Sequence, residues 1–331
     1  MLLKHLVLLV LGEDTLRVNN RPLVSVVLLS YNSSSTILDT LNSVVNQSYG
    51  ACNIELIISD DCSQDDSVIV ISKWLESNKD SFFCCHTFFN KINLGVCANT
   101  NQAWASVSAS WVKTIAADDI LFKDSIKIFS TKACLVDSNV ACIFSNVRRF
   151  REDVLFDSID RTWLNSVFDK GASFVYRALL TKNFLDAPGS FIRYSALKSI
   201  GFVDVENRFV EDYPLWLRLS ANGYSFQFID NELVYYRVGN GVSTSTDALI
   251  NKNILPEVRE ILIKSASNNL KKSDYLYWVV RFDCFITRII MLLAQNLFDN
   301  KRSFISVNLL RLVKVFYIRP VFHMFKFWMV K

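Results

Sequence analysis

Residues 24–49 read VSVVLLSYNSSSTILDTLNSVVNQSY, and the fold follows from how that stretch is built. Its opening, Val24–Ser30, is an unbroken run of β-branched and apolar residues, the pattern of a strand buried on both faces. Ser33–Thr36 then supplies N-cap residues for a helix running to about Gln47, with Ile37, Leu41, Val44 and Val45 along one stripe. The same alternation continues down the chain. Strands are predicted at Ile54–Ser59, Ser81–Phe89, Trp111–Ala116 and Val140–Phe150, with helices at about Asp65–Ser77, Val96–Val107 and Lys123–Val136 between them. Strand and helix in succession mean parallel strands joined by right-handed crossovers. The expected fold class is therefore α/β, a doubly wound and mainly parallel sheet flanked by helices, with ligands bound beyond the C-terminal ends of its strands.

Past residue 150 the alternation weakens. A polar connector, Arg151–Asp160, leads to helical segments, then Gly189–Arg193, then a helix at about Glu211–Asn222 closed by Gly223. Two short strands are predicted at Ser225–Asp230 and Leu233–Val238, and the chain from about Asp247 onward reads as helical.

The chain has 331 residues, of which 51% are hydrophobic and 21% charged, enough to bury a sizeable core and too apolar for global disorder. The net charge is only +4, but its placement is uneven: Arg302, Arg311, Lys314, Arg319 and Lys326 gather among aromatics near the C-terminus. None of the eight cysteines forms a C-x-x-C pair, and Val140–Phe144 shows the apolar setting in which a free thiol behaves as a small hydrophobe. Reduced thiols and a cytoplasmic location are expected. Met1–Gly12 is apolar but shorter than the roughly twenty residues of a spanning helix, and it reads as a surface-packed or membrane-skimming extension.

The polar signatures fall just beyond strand ends. Asp118-Asp119 follows WVKTIAA, and two adjacent carboxylates there repel each other, a cost that a bound Mg2+ or Mn2+ offsets. Capping of the Lys123 helix is the other reading of that pair. Asp60-Asp61 reads either as a cap or as an acceptor for a nucleobase N–H. Asn93-Leu94-Gly95 reads either as an ordinary turn or as close backbone approach to a ligand. Glu211-Asp212, in turn, is either a first-turn acidic cap or a reacting pair.

As an ordered set these stretches resemble the family 2 glycosyltransferases, whose fold is the Rossmann-like GT-A type. The matching segments are residues 24–49 above, IELIISDDCSQDDS (54–67), NLGVCANTNQA (93–103), KTIAADDIL (113–121), APGSFIRYSALKSIGFVD (187–204), VEDYPLWLRLSANGYSF (210–226) and YYRVGNGVST (235–244). The resemblance implies an N-terminal extension (1–21), a GT-A domain over 22–245 with a nucleotide-binding half (22–150) and an acceptor half (151–245), and a helical C-terminal region (246–331). It implies that Ser30, Tyr31, Asp61, Asn93, Gly95 and Asp118 line the nucleotide pocket, Asp61 facing uracil or thymine. Asp118 and Asp119 would hold Mn2+ or Mg2+ under the diphosphate. Asp212, beside Glu211, would deprotonate the acceptor hydroxyl from the face opposite the leaving group, inverting the anomeric centre.

The expected activity is transfer from a UDP- or dTDP-sugar to a glycan acceptor, lipid-linked, in surface-polysaccharide synthesis at the inner face of a bacterial cytoplasmic membrane. Three positions depart from the family pattern: Ala116 where an Asp is common, Thr100 where an Arg is common, and Val238-Gly239-Asn240 where many relatives place a His. These departures support a rival reading as a catalytically silent sugar-nucleotide-binding or scaffold protein. A nucleotidyltransferase would carry a Gly-rich, basic phosphate loop after the first strand, which SYNSSST lacks. The aromatic and basic tail, Phe316–Trp328, reads as a peripheral membrane contact or as the core of a small helical unit. No nucleic-acid motif is present.

Overall fold

The computed structural model describes residues 17–18, 21–152, 154–239 and 248–318. The Met1–Gly12 stretch, Asn240 and the aromatic tail from Arg319 onward lie outside the described residues. The main strands are β1 (Val24–Ser30), β2 (Ile54–Asp60), β3 (Cys84–Phe89), β4 (Trp111–Ala116), β5 (Ile120–Leu121), β6 (Val140–Arg151), β7 (Val154–Leu155), β8 (Ser190–Arg193) and β9 (Ser225–Arg237). The helices are α1 (Ile37–Val45), α2 (Ser67–Asn78), α3 (Val96–Trp104), α4 (Ser125–Ala133), α5 (Trp163–Phe168), α6 (Ala172–Leu179), α7 (Tyr194–Ser199), α8 (Asp212–Ala221), α9 (Ile254–Asn269), α10 (Tyr275–Asn296) and α11 (Phe304–Lys314).

One sheet runs in the order β3-β2-β1-β4-β8-β6-β9-β5, with β7 on β6. The β3-β2-β1-β4 half is parallel, as the strand–helix alternation dictates. The sheet then continues through β8, antiparallel to both β4 and β6, while β9 runs parallel to β6. The two strands predicted at Ser225–Asp230 and Leu233–Val238 are one. β9 keeps pairing with β6 across register shifts on either side of Glu232. Asp230 and Glu232 look like turn residues, but here they pin the bulge: Asn146 Nδ2 donates to Asp230 at 2.7 Å and Arg148 pairs with Glu232 at 2.7 Å.

Apolar clusters cover both faces, which is why β1 and β2 read as continuous hydrophobic runs. Val24, Val26, Leu28, Ile54, Leu56 and Ile58 pack with α1, α2 and α4 on one side, whereas Val27 and Ile57 join the α3, α6 and α8 side. Ile261, Leu262, Leu276 and Val280 of α9 and α10 belong to that second cluster, so the C-terminal helices share the core of the sheet. All eight cysteines are free thiols.

One basic side chain lies inside this apolar frame among the described residues. Lys113, in the middle of β4, is wholly buried, and its Nζ donates to the carbonyls of Thr114 at 2.8 Å and Pro188 at 2.6 Å. Burial pulls the ammonium down to about 8. Beside it the backbone at Gly189 packs so tightly that a Cβ would meet the Ser145 carbonyl at 2.6 Å. Lys113 thereby ties β4 to the turn that starts β8. Lys113→Met keeps most of the volume but leaves two buried carbonyls unpaired, and it should lower unfolding free energy by about 2 kcal/mol or more. Urea titration beside the exposed-site control Lys73→Met, expected to change stability by less than about 0.5 kcal/mol, measures this.

Candidate active site

Strand register lines up the site. Ser30 pairs with Asp60, Asp60 with Phe89, and Leu29 with Ala116, so the four strand ends form one row. The first loop residue beyond each strand bonds back to the neighbour: Asp61 N to Ser30 O (2.9 Å), Asn90 N to Asp60 O (3.0 Å) and Ala117 N to Leu29 O (2.9 Å). Residues 60–61, 90–95 and 117–119 are thereby brought to one crevice.

The acidic loop after β4 is held by α1. Thr36 Oγ1 donates to Ala117 O (2.9 Å), Thr40 Oγ1 to Asp119 O (2.7 Å) and Gln47 Nε2 to Phe122 O (2.8 Å), while Leu121 N donates to Ser43 Oγ (3.1 Å). The side chains of Asp118 and Asp119 are left for other work. Asp119 is buried and accepts the Arg237 N–H at 3.0 Å; Asp118 is half-buried, and its carboxylate takes no hydrogen bond from another described residue. Burial raises both, Asp119 well above the usual carboxylate range with the Asp118 charge adding to it.

The loops after β1 and β2 are locked together. Asn32 N donates to Ser63 Oγ (2.8 Å), Gln64 N to Asn32 Oδ1 (2.8 Å), Ser33 N to Ser67 Oγ (2.8 Å) and Ser34 N to Asp65 Oδ2 (2.9 Å). Burial opposes charge on Asp65, but the hydrogen bonds from Ser67 and Ser34 outweigh it and hold the carboxyl down to about 2. Asn32 and Cys62 both adopt left-handed backbone, φ 49° and 64°, at the rim.

Asp61 is buried, with Oδ1 accepting Leu94 N (2.7 Å) and Oδ2 accepting Gly95 N (2.8 Å), and its carbonyl takes Asn93 Nδ2 (3.1 Å). Asp61, Asn93 and Gly95 are therefore in mutual contact, and Oδ2 keeps a second lone pair. Gly95 is favoured by its φ of 84°, a left-handed backbone that side-chain-bearing residues rarely adopt. Ser30 is buried, its hydroxyl donating to Asp60 Oδ2 (2.7 Å), whereas Tyr31 is 52% exposed at the crevice. Thr100 is buried in α3, so no side chain reaches the crevice from that position.

Across the crevice, Glu211 and Asp212 open α8. Burial first, then Asp212 and Glu257, pushes Glu211 up to about 8; burial raises Asp212 against a hydrogen bond from Tyr213 N (2.7 Å). The pair acts electrostatically on Cys97 at the start of α3. Asp186 acts on both Asp212 and Tyr236, and Tyr236 in turn feels Asp119 and Asp118. Tyr236 and Asp186 thus link the two acidic pairs electrostatically.

The hard, under-hydrogen-bonded oxygens of Asp118 and Asp119 fit a divalent cation. With Ala116 exposed in place of a carboxylate, the protein offers two such groups there. Among the described residues, the three-residue cluster with metal-ligand spacing is Glu55, Cys84 and His86, whose ligand atoms lie within 4.8 Å. It sits at the opposite end of β2 from the crevice. The Glu55 carboxylate there already accepts the Ser108 N–H (2.9 Å) and hydroxyl (2.7 Å), besides the hydroxyl of Ser25.

Three contributors escaped the sequence reading. Arg237 donates its backbone N–H to Asp119 and its Nε to Asp118 O (3.0 Å), and lies over the Phe150 ring. Asp186 pairs with Arg149 and Arg161, both at 2.8 Å. Lys113 supports the loop from below. Only Lys113 carried a signal, a charge inside an otherwise apolar strand immediately before the acidic pair.

Comparison with known proteins adds to this geometry. The family described as "Glycosyl transferase family 2" matches residues 25–198. A chondroitin synthase of Pasteurella multocida is 24% identical over 80% of this chain and 25% of its own length, and a hyaluronan synthase of the same organism is 25% identical over 72% and 22%. The chain thus spans about a quarter of these first curated relatives. A UDP-Glc:alpha-D-GlcNAc-diphosphoundecaprenol beta-1,3-glucosyltransferase of Escherichia coli is 26% identical over 66% of the chain and 78% of that protein. Among solved structures, S. aureus TarS in complex with UDP-GlcNAc superposes with a TM-score of 0.59 at 17% identity, covering 88% of this chain and 79% of that one. A Pyrobaculum calidifontis mannosyltransferase with GDP-Man and Mn2+ gives 0.56 at 14%, covering 92% and 84%. At such identities the likeness is one of fold, and that fold is GT-A.

The raised Glu211 makes stability pH-dependent. Between its ordinary 4.5 and about 8 the folded chain holds a proton that the unfolded chain releases, so stability falls as pH rises through that window. Glu211→Gln should remove this decline. The difference in urea midpoint between the two proteins, measured at pH 5 and pH 8, should widen in favour of the variant at the higher pH.

Proposed function

We propose, for a chain that belongs to glycosyl transferase family 2, the transfer of a sugar from a UDP- or dTDP-activated donor onto a glycan acceptor with inversion. The reading is carried by two proton-avid carboxylate pairs, Asp118-Asp119 and Glu211-Asp212, coupled through Tyr236 and Asp186. The sheet half, residues 22–150, would hold the nucleotide: Tyr31 at the rim, Asp61 Oδ2 toward the base N–H, and the Gly95 backbone beside it. Residues 151–245 would present the acceptor, and residues 246–331 would follow as a helical region.

Asp118 and Asp119 would hold Mn2+ or Mg2+, which supplies positive charge against the departing diphosphate. Arg237, anchored to both, adds a fixed cation at the same edge. Asp212, with Glu211 beside it, would take the proton from the acceptor hydroxyl on the opposite face. Because burial and mutual repulsion raise this pair, its affinity for a proton suits a base working near neutrality. The diphosphoundecaprenol in the name of the E. coli relative supports a lipid-linked acceptor, and with it work at the cytoplasmic face of a membrane. No described helix is long and apolar enough to cross a membrane, so that contact would be peripheral.

Ala116 keeps a second reading open, a sugar-nucleotide-binding protein without turnover. Calorimetric titration with UDP and dTDP, with and without Mn2+, separates the two when paired with variants. Metal-dependent binding should be seen in the wild type and lost in Asp118→Ala. Asp212→Asn should keep that binding and lower turnover by about 10²–10⁴-fold. Binding without turnover in the wild type would establish the silent protein, and no nucleotide binding by folded chain would overturn both.

A further inference from the structure

We propose that the solvent faces of α10 and α11 form a docking surface for an anionic lipid bilayer. The proposal rests on the peripheral-membrane part of the reading above and locates that contact in residues ahead of the C-terminal aromatic tail.

The helices carry two unpartnered apolar stripes. On α10, Trp278, Phe285 and Leu292 recur every seven residues and are 58%, 56% and 49% exposed, while Val280, Cys284 and Ile290 on the other side are buried. On α11 and the turn that follows it, Ile305, Leu312 and Phe316 are 71%, 65% and 64% exposed, while Leu310 packs against Ile286, Ile290 and Ala294 of α10. Such spacing belongs to helices that bury one face in a core and have a second apolar face to place.

Charge decides between occupants. Arg281 and Arg288 flank the α10 stripe, and Arg311 flanks that of α11; all three are exposed, and none forms an ion pair among the described residues. The single acid of the two helices, Asp283, is wholly buried and accepts the Ile318 N–H at 2.8 Å. A second copy packed on this face would bring arginine against arginine with no carboxylate from these helices to pair them. An anionic headgroup layer supplies the missing charge, and the aromatic and aliphatic side chains suit the boundary beneath it. α10 is not free to swing away from the body: Asp274 at its N-terminus is paired with Arg177 of α6, and Asp274 Oδ1 caps Leu276 N at 2.9 Å.

The test is sedimentation of the full chain with vesicles of phosphatidylcholine, with and without phosphatidylglycerol. Binding is expected only with phosphatidylglycerol, with release at about 0.5 M salt, where screening shortens the reach of charge to a few Å. Arg281→Gln with Arg288→Gln should weaken binding about 25-fold, at about fivefold per charge. Phe285→Ser with Leu312→Ser should abolish it, with nucleotide titration showing each variant still folded. Absence of binding to phosphatidylglycerol vesicles would overturn the proposal, as would self-association of the free chain that Phe285→Ser with Leu312→Ser converts to monomer. Either result leaves nucleotide binding intact, so failure here is distinct from failure of the transferase reading.

Discussion

The polar ladder of α1, formed by Thr36, Thr40, Ser43 and Gln47, is the constraint on which the acidic loop depends. These side chains spend their hydrogen bonds on the backbone of residues 117–122. A loop that carries two adjacent carboxylates at a sheet edge repels itself, and left alone would open toward water. Holding its peptide groups from outside lets both carboxylates stay close without using them in the fold. The adjoining face of α1, with Ile37, Leu41 and Val44 buried, fixes where the ladder stands. One helix, apolar on one face and hydroxyl-rich on the adjoining one, thus converts a packing choice into the geometry of a charged site.

A second theme is the accumulation of acid with few compensating donors. Asp118, Asp119, Glu211 and Asp212 all lie where burial disfavours their charged forms, and each pair worsens its own case. Arg149 and Arg161 are committed to Asp186 and Lys113 to carbonyls, which leaves Arg237 as the cation acting on both Asp118 and Asp119. Structural ion pairs do not look like this, since a fold that needs carboxylates for stability gives them arginines. Under the proposed function, that imbalance would be relieved by a cation on one side and a proton on the other.

Much of this was legible in the amino-acid order. β1 and β4 have the bounds read from their apolar runs, because a strand covered on both faces tolerates almost nothing else. Asp61, Asn93 and Gly95 meet as the strand-end argument requires. What escaped was whatever depends on distant partners. Arg237 reaches the acidic loop only because β9 pairs with β5, a contact between residues more than a hundred positions apart. β9 itself looked like two strands, since nothing local says that β6 is long enough to carry pairing through a bulge. Ser30 and Asp61 were read for their outward chemistry, yet in the free chain both are occupied inward, a use that composition cannot distinguish.

The contact between Glu257 and the loop ahead of α8 has a consequence for modularity. Glu257, on α9, accepts the Phe209 and Val210 amides at 3.1 and 2.9 Å, immediately before Glu211. The C-terminal helices therefore buttress the turn before Glu211-Asp212 as well as closing the core. A segment exchange that grafts another relative's C-terminal region onto this sheet would have to bring a carboxylate to that same turn. Otherwise the hybrid would inherit an intact sheet and a Glu211-Asp212 turn with no fixed address.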